Sequence, residues 1–426
     1  MIGIIGAGLT GLATAFYLKK NFVLFEKENE PGGHSRTFNH KGFLYDFGGH
    51  FLHLRNDWVK NLVTDELGIV LNSHSRHSAI YLNGVYGDYP FQNNLQNYPE
   101  DIIVECLEGL ARAKYGNRKN AIRTFEDYIL ATMGEGIAKH FMIPYNTKLW
   151  SLSPSEMTVD WIGRFVPEPQ FTQALINLLK RKPVAEGYNK DFYYPEENGI
   201  GTIPQALARK IPGIRYNIEI QSIDVPGKQI KLSDGSIFEY SGLVNTMPLP
   251  ELIARAENIP EHVRKAADML NWTNITICNL SVTELNIGYN WVYVPESKFP
   301  FFRFGNYSKV APNKDRPEIS NLYVEFSGGR ARTVIPSADD VIDHLKEMKA
   351  LRQNAQIIDS MILPVKYAYV IYDKNRNEAV RSIQDYLIAN DIYSVGRFGN
   401  WEYSSMEDAF IHGRKTADMI NQTEKE

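Results

Sequence analysis

The chain has 426 residues and a formal net charge of −4 at pH 7, too long for one compact core and suited to two or three domains. Its 43% hydrophobic and 23% charged residues are ordinary for a globular protein, and the slight acidic balance excludes a broad basic field for nucleic acid. Two distant cysteines, Cys106 and Cys278, fit neither a disulfide framework nor a metal spacing, and no run approaches the roughly 18 apolar residues of a membrane span, so the chain reads as cytoplasmic, without a signal peptide or a membrane partner.

The strongest local signal comes first. Ile2-Gly3-Ile4-Ile5 is a short apolar run, Gly6-Ala7-Gly8-Leu9-Thr10-Gly11 is a G-x-G-x-x-G, and Leu12 to Leu18 has helical apolar spacing. Phe22-Val23-Leu24-Phe25 predicts a second strand, ending at Glu26. Gly6 permits the tight turn, Gly8 lets backbone approach a pyrophosphate, and Gly11 lets helix pack on strand. The helix N-terminus offers free N–H groups to phosphate. Glu26, about twenty positions after Gly6, is placed to accept ribose hydroxyls. A glycine-rich turn in an ordinary α/β protein is the bland alternative; strand, glycines, helix, strand and acid in this order favour an adenine dinucleotide. Pro31-Gly32-Gly33-His34-Ser35-Arg36-Thr37 and Asp46-Phe47-Gly48-Gly49-His50 then add two more glycine pairs.

Further on, Asn83-Gly84 between Ile80-Tyr81-Leu82 and Val85-Tyr86 predicts a β-hairpin. Asp101 to Tyr115, Thr124 to Phe141 and Phe171 to Leu179 have helical spacing, so 99–182 reads as an inserted helical domain. Residues 214–250 read as strands with a turn at Asp234-Gly235, 270–330 as a β-rich flanking sheet, and Ser337 to Ser360 as a helix. Ile392 to Asn400 predicts a strand entering a glycine turn, followed by a helix from Met406 to Asn421 and a frayed tail. The predicted architecture is α/β: a discontinuous Rossmann-like domain over 1–75, 188–250 and 385–426, the helical domain at 99–182, and a β-rich domain from 76–98 and 251–384 with a flanking antiparallel sheet.

The glycine pair at Gly32-Gly33, with Thr37 after it, resembles the FAD-binding start of the amine-oxidase-like flavoproteins. Under that resemblance Gly6, Gly8, Gly11, Glu26, Gly32, Gly33, Ser35 and Arg36 hold the cofactor, together with Gly48 and Gly49. The alternative for His34 and Arg36 is a solvated loop. Four more stretches narrow the family: Asp88-Tyr89-Pro90-Phe91-Gln92-Asn93-Asn94, Pro144 to Trp150, Tyr293-Val294-Pro295-Glu296 leading to Phe301 to Ser308, and Gly396 to Tyr403. In combination they resemble UDP-galactopyranose mutase, its eukaryotic-type branch more than the bacterial one, from residue 1 to about 415.

The resemblance implies noncovalent FAD that is active only when reduced, with NAD(P)H a possible reductant. Its N5 attacks the anomeric carbon of UDP-galactose and displaces UDP, and the sugar recloses as a furanose without net redox. It assigns Arg164 and Arg303 to the diphosphate, where a planar guanidinium meets phosphate oxygens bidentately. Tyr369 and Tyr403 donate hydroxyls to the same group. Asn146, Trp150 and Asn189 lie near the sugar, with Tyr293 on the substrate side. Tyr89 and Gln92 recognise uracil. Arg76, Ser78, Arg397, Met406 and His50 lie near the flavin, Arg397 favouring the anionic reduced form. The alternatives are a solvated charge for Arg164 and for Arg303, although an arginine inside an aromatic strand usually has an anionic partner, core packing for the tyrosines, a helix anchor for Trp150 and a plain loop for His50.

The chain departs from the pattern at His53, where the family has a uracil-stacking aromatic, and after Tyr403, where Ser404 to Asp408 is short. The same chemistry on another nucleotide sugar therefore stays open. An amine- or porphyrinogen-type oxidase would share Gly6 to Thr37 but lack a pair of anion-binding arginines. A noncatalytic flavin-binding module is the third reading. Loop-like Ser151 to Ser155 and Pro167 to Pro169 predict a cover over the site within 151–170.

Overall fold

The computed structural model describes residues 1–116, 121–166, 168–180 and 190–422, with the side chain of Arg164 outside the description. The centre of the dinucleotide lobe is the strand Ile2–Ile5, buried along its length. All its neighbours are parallel: Phe22–Phe25 then Ile214–Arg215 on one side, Gly242–Asn245 then Ile392–Ser394 on the other. Strands buried on both faces need apolar sequence, which Ile2 to Ile5 and Leu243-Val244 supply, while the buried Asn245 amide is satisfied by the Met247 carbonyl and Ser394 Oγ. The chain therefore visits this sheet from three distant segments, the discontinuous arrangement expected. The helix Leu9–Tyr17 leaves the central strand and packs against the last helix, Met406–Gln422. Gly11 is required there: a β-carbon on it would lie 1.9 Å from the Gly6 carbonyl oxygen.

A second sheet of seven strands carries the other wall. Its order is Ile357–Val370, Trp272–Val282, Ser320–Gly328, Arg303–Asn306, Trp291–Tyr293, Ser78–Leu82 and Val85–Asp88. It is the flanking sheet expected, antiparallel except where Trp291–Tyr293 runs parallel to Ser78–Ile80. The hairpin at Asn83-Gly84 forms, with Leu82 opposite Val85 and both turn residues at positive φ. A small sheet of Ile220–Asp224, Gln229–Leu232 and Ile237–Glu239 also takes Ala256–Glu257, which lies beyond the boundary drawn at 250.

The helical region contains Glu100–Tyr115, Phe125–Ile137, Ile143–Trp150 and Phe171–Lys180. Two expected helices differ. Thr124 to Phe141 is not one rod: Gly134 takes φ 78°, and Ala138–Met142 is a π-type turn. The apolar period runs straight through Gly134, so spacing hides the break. Ser337 to Ser360 is not one helix either. Ala338–Glu347 is helical, Lys349 takes φ 57°, and Ile357 already begins a long strand. A lysine in the left-handed region ends a helix as a glycine would, without the sequence signal. Among the described residues, no helix is long and apolar enough to cross a membrane.

Candidate active site

A cavity of about 990 Å³ lies between the parallel sheet, the seven-stranded sheet and the helical region. Its dinucleotide end is made mostly by backbone. Gly6, Gly8 and Thr10 line it, and a β-carbon on Gly8 would meet nothing within 4 Å, so the backbone there stands open to a ligand. Glu26 is buried, and its carboxylate accepts from the Ala7 N–H at 2.7 Å and the Glu28 N–H at 2.9 Å. Those bonds fix the carboxylate at the strand end and leave lone pairs for ribose hydroxyls. Gly32 bridges Gly8 and donates to the Ala7 carbonyl, which lays Gly32, Gly33, Ser35 and Arg36 along the same wall. The Arg36 guanidinium bonds the Gly33 carbonyl and lies over Phe38 and Phe47, so it is not a solvated loop residue. His34 is not one either: it packs between Phe47 and Phe398 on the cavity wall.

Charge in the cavity is unevenly compensated. Arg303 forms a two-point ion pair with Glu325, directly opposite it on the neighbouring strand. Lys27, Arg36, Arg255 and Lys366 also have carboxylate partners. Among the described residues, Arg397 is the lining cation without one. Its Nη1 donates to the Ser404 carbonyl at 3.2 Å, while Nε and Nη2 are buried with no partner. The guanidinium sits 5.1 Å from the Tyr369 ring centre and 5.2 Å from that of Tyr403. Other buried polar atoms on this wall lack partners too: His50 Nδ1, the Tyr323 hydroxyl, Ser404 Oγ and Trp161 Nε1. Each such group costs about 1–3 kcal/mol until something bonds it, so the wall is built for a polar, anionic ligand.

Three histidines on this wall are held neutral. Burial, with His50 and Arg397 nearby, pushes His34 down to about 3. Burial and Arg397 push His50 down to about 4. Burial takes His53 to about 4, opposed by the Asp191 carbonyl 3.3 Å from its Nδ1. Positive charge at neutral pH therefore comes from arginine and lysine, not from these histidines.

The residues expected on the substrate side come together. Tyr89 stacks near Tyr293 at 5.0 Å, and Tyr293 meets Tyr145 edge-on at 5.3 Å. Gln92 and His53 line the same end. Trp150 contacts both Tyr369 and Tyr403. Asn146 and Trp150 line the cavity, but their polar groups meet each other: Trp150 Nε1 donates to Asn146 Oδ1 at 3.1 Å, and Asn146 Nδ2 donates to the Met142 carbonyl. The Met406 helix starts at the cavity. Gly49 and His50 line it, while Gly48 sits just behind, its carbonyl accepting from the buried Tyr307 hydroxyl.

Arg76 and Ser78 are not among the residues that line the cavity. Arg76 lies over the Tyr89 ring at 4.6 Å, and Ser78 bonds the Tyr89 N–H through its carbonyl. The reason is register: they precede the strand that carries the Tyr89 turn. Asn189 lies outside the described residues, and Arg164 stands in the short helix Gly163–Phe165. The expected cover is mostly fastened. Ser151 Oγ is 3.1 Å from Ser327 Oγ, Met157 is buried and bridged to Asp373, and the Thr158 N–H donates to the Tyr372 carbonyl. Sequence reasoning missed Glu325, Tyr145 and Tyr323. A glutamate inside the apolar strand Tyr323 to Phe326 was the available signal for a buried cationic partner.

Comparison with known proteins adds the family. Residues 4–65 match a NAD(P)-binding Rossmann-like domain. A crystal structure of reduced UDP-galactopyranose mutase superposes with a TM-score of 0.92 at 28% identity, covering 100% of this chain and 94% of that one. The chain is a relative of UDP-galactopyranose mutase in the FAD-dependent amine-oxidase-like superfamily. The likeness to the mutase includes both cavity walls, since it spans the whole chain. A putative protoporphyrinogen oxidase from Exiguobacterium sp. 255-15 shares the fold at TM-score 0.76 and 14% identity, over 99% of each chain. Coproporphyrinogen III oxidase of Staphylococcus aureus is 22% identical over 284 residues, and the match spans 60% of its length.

Proposed function

We propose that this protein is a flavin-dependent nucleotide-sugar mutase that interconverts pyranose and furanose rings, with UDP-galactose as substrate. The observation that carries the reading is the full-length likeness to UDP-galactopyranose mutase at TM-score 0.92. The cavity accords with it. Bound FAD, when reduced, would supply the nucleophile for the anomeric carbon. Gly6, Gly8, Glu26, Gly32 and Gly33 would hold its dinucleotide arm by backbone and carboxylate.

The remaining work falls to side chains. Arg397, with two unpartnered guanidinium nitrogens, stabilises negative charge in the centre of the cavity. Tyr369 and Tyr403 stand beside it as uncharged donors for a diphosphate, with Arg303 close by. Neutral His50 offers a ring nitrogen without adding a charge that would compete. Tyr89, Gln92 and His53 take the base. The aromatic wall of Tyr145, Trp150 and Tyr293 excludes water from the reacting sugar. NAD(P)H would supply the reducing equivalents, and dithionite replaces it in the test.

The test is an anaerobic incubation of the FAD-loaded protein with UDP-galactofuranose, with and without dithionite. Conversion to UDP-galactopyranose in the reduced sample alone is the expected result. UDP binding without conversion would move the substrate to another nucleotide sugar. No UDP binding, with oxygen consumed on an amine, would replace the reading with an oxidase.

A further inference from the structure

Lys148 sits on the helix Ile143–Trp150, the element that presents Tyr145, Asn146, Leu149 and Trp150 to the cavity. Its own ammonium points away from the ligand space. It donates to four backbone carbonyls: Val294 at 2.8 Å, Glu296 at 2.6 Å, Phe299 at 2.8 Å and Phe301 at 3.1 Å. All four belong to the connection between the strands Trp291–Tyr293 and Arg303–Asn306. The last rung of that hairpin is Tyr293 opposite Arg303, and both residues line the cavity.

We infer that Lys148 is a positioning residue that pins the helical wall of the cavity to the sheet wall and thereby fixes the Tyr293 and Arg303 rung. Two features single it out. An ammonium has three N–H donors, fewer than the four carbonyls it meets, so the carbonyl ring closes around a point cation rather than a hydrogen-bond pair. The connection is otherwise held by backbone and core: the Val294 N–H donates to the Phe302 carbonyl, the Phe299 N–H to the Glu296 carbonyl and the Phe302 N–H to the Glu325 carbonyl, with the Phe299 and Phe301 rings buried; Lys148 adds a polar link from it to the helical wall. Burial pushes Lys148 down to about 7, with Glu296 opposing the shift; the carbonyl ring favours the charged form. The guanidinium of Arg303 is held by Glu325 and its strand is paired on both sides in the sheet, so what the lysine fixes is the connection that enters this strand at Arg303. That the rung faces a phosphate-bearing ligand rests on the proposed function; that Lys148 holds the rung does not.

The experiment compares FAD-loaded wild type with Lys148→Met, which keeps the length and removes the cation, and Lys148→Arg, whose planar fork cannot converge on four carbonyls. Amide hydrogen exchange is read strand by strand, and binding of UDP and of uridine is measured in parallel. In Lys148→Met, the amides of Tyr293, Val294, Phe302 and Arg303 exchange at least about tenfold faster while those of Ile2 to Ile5 do not change. UDP affinity falls about tenfold and uridine affinity by less than about twofold. Lys148→Arg lies between. Wild-type exchange at the hairpin in either flavin-bearing variant overturns the inference; if Lys148→Met fails to hold flavin, Lys148→Arg decides alone. A wild type that binds no UDP would remove the proposed function, and the exchange result would still decide the pin.

Discussion

The two ends of the cavity are built by different means. At the dinucleotide end, recognition comes from backbone placed by a strand, a glycine turn and a helix within residues 2–36. The other end is lined by side chains that meet across the molecule: Arg397 against Tyr369 and Tyr403, Arg303 against Glu325, Tyr89 against Tyr293. A backbone site is sensitive to an added atom where helix meets strand, as at Gly11, but is indifferent to most side chains. A side-chain site tolerates changes of shape and is sensitive to charge.

The contrast can be broken first at Gly11. Gly11→Val places carbon where the Gly6 carbonyl oxygen lies, and the expected result is a protein purified without flavin absorbance, the largest effect of the set. At the other end, Glu325→Leu should leave the dinucleotide end intact but strand the Arg303 guanidinium, whose side chain is 19% exposed. Losing one partner of a buried pair costs about 3–5 kcal/mol, readable in urea unfolding with flavin still bound. Glu28→Leu is the matched control. Its pair with Arg36 has a carboxylate side chain 41% exposed, and the expected cost is below about 1 kcal/mol.

Acid sharpens the comparison. His34, His50 and His53 have folded pKa values lowered to about 3, 4 and 4, from 6.5. Between pH 6.5 and about 4 the unfolded chain binds protons that the folded chain refuses, so their contribution to stability is complete above 6.5 and declines as pH falls. Asp46, raised from 3.8 to about 6 by burial, works in the opposite sense over much of the same window. Three groups outweigh one, and melting temperature should be flat above pH 7 and fall below 6. A flat profile to pH 4.5 would contradict the buried-imidazole picture. The smallest effect is at His53, whose ring lies 6.1 Å from Phe192. His53→Phe should tighten UDP binding by about 1 kcal/mol through base stacking, measured calorimetrically; weaker binding would place the base elsewhere.

The same contrast explains what could be read from sequence. The Gly6 to Glu26 unit was legible because its parts are neighbours in the chain and each glycine has a steric reason. The seven-stranded sheet was legible as β-rich, but not in its order, since Ser78–Leu82 joins Trp291–Tyr293 across more than two hundred residues. Arg303 was singled out in the sequence, but its partner Glu325 was not, because a cross-strand partner has no fixed spacing. Arg76 and Ser78 were placed near the flavin by resemblance alone, and their contacts with Tyr89 come from strand register, which has no sequence signal. The helix to Ser360 failed at Lys349, where backbone conformation, not composition, decides.

The order of the parallel sheet also has a consequence during synthesis. Ile2–Ile5 leaves the ribosome first and can pair with Phe22–Phe25 at once, but its other neighbour ends at Asn245, and the outer strand beyond that at Ser394. At roughly 5–20 residues per second, the first strand waits on the order of ten seconds or more for that neighbour and longer for the sheet edge. Arg397 and the helix against Leu9–Tyr17 arrive later still. A nascent chain therefore carries a complete glycine turn long before it carries a closed lobe, and a ribosome stalled anywhere before residue 394 leaves the edge of Gly242–Asn245 without its partner.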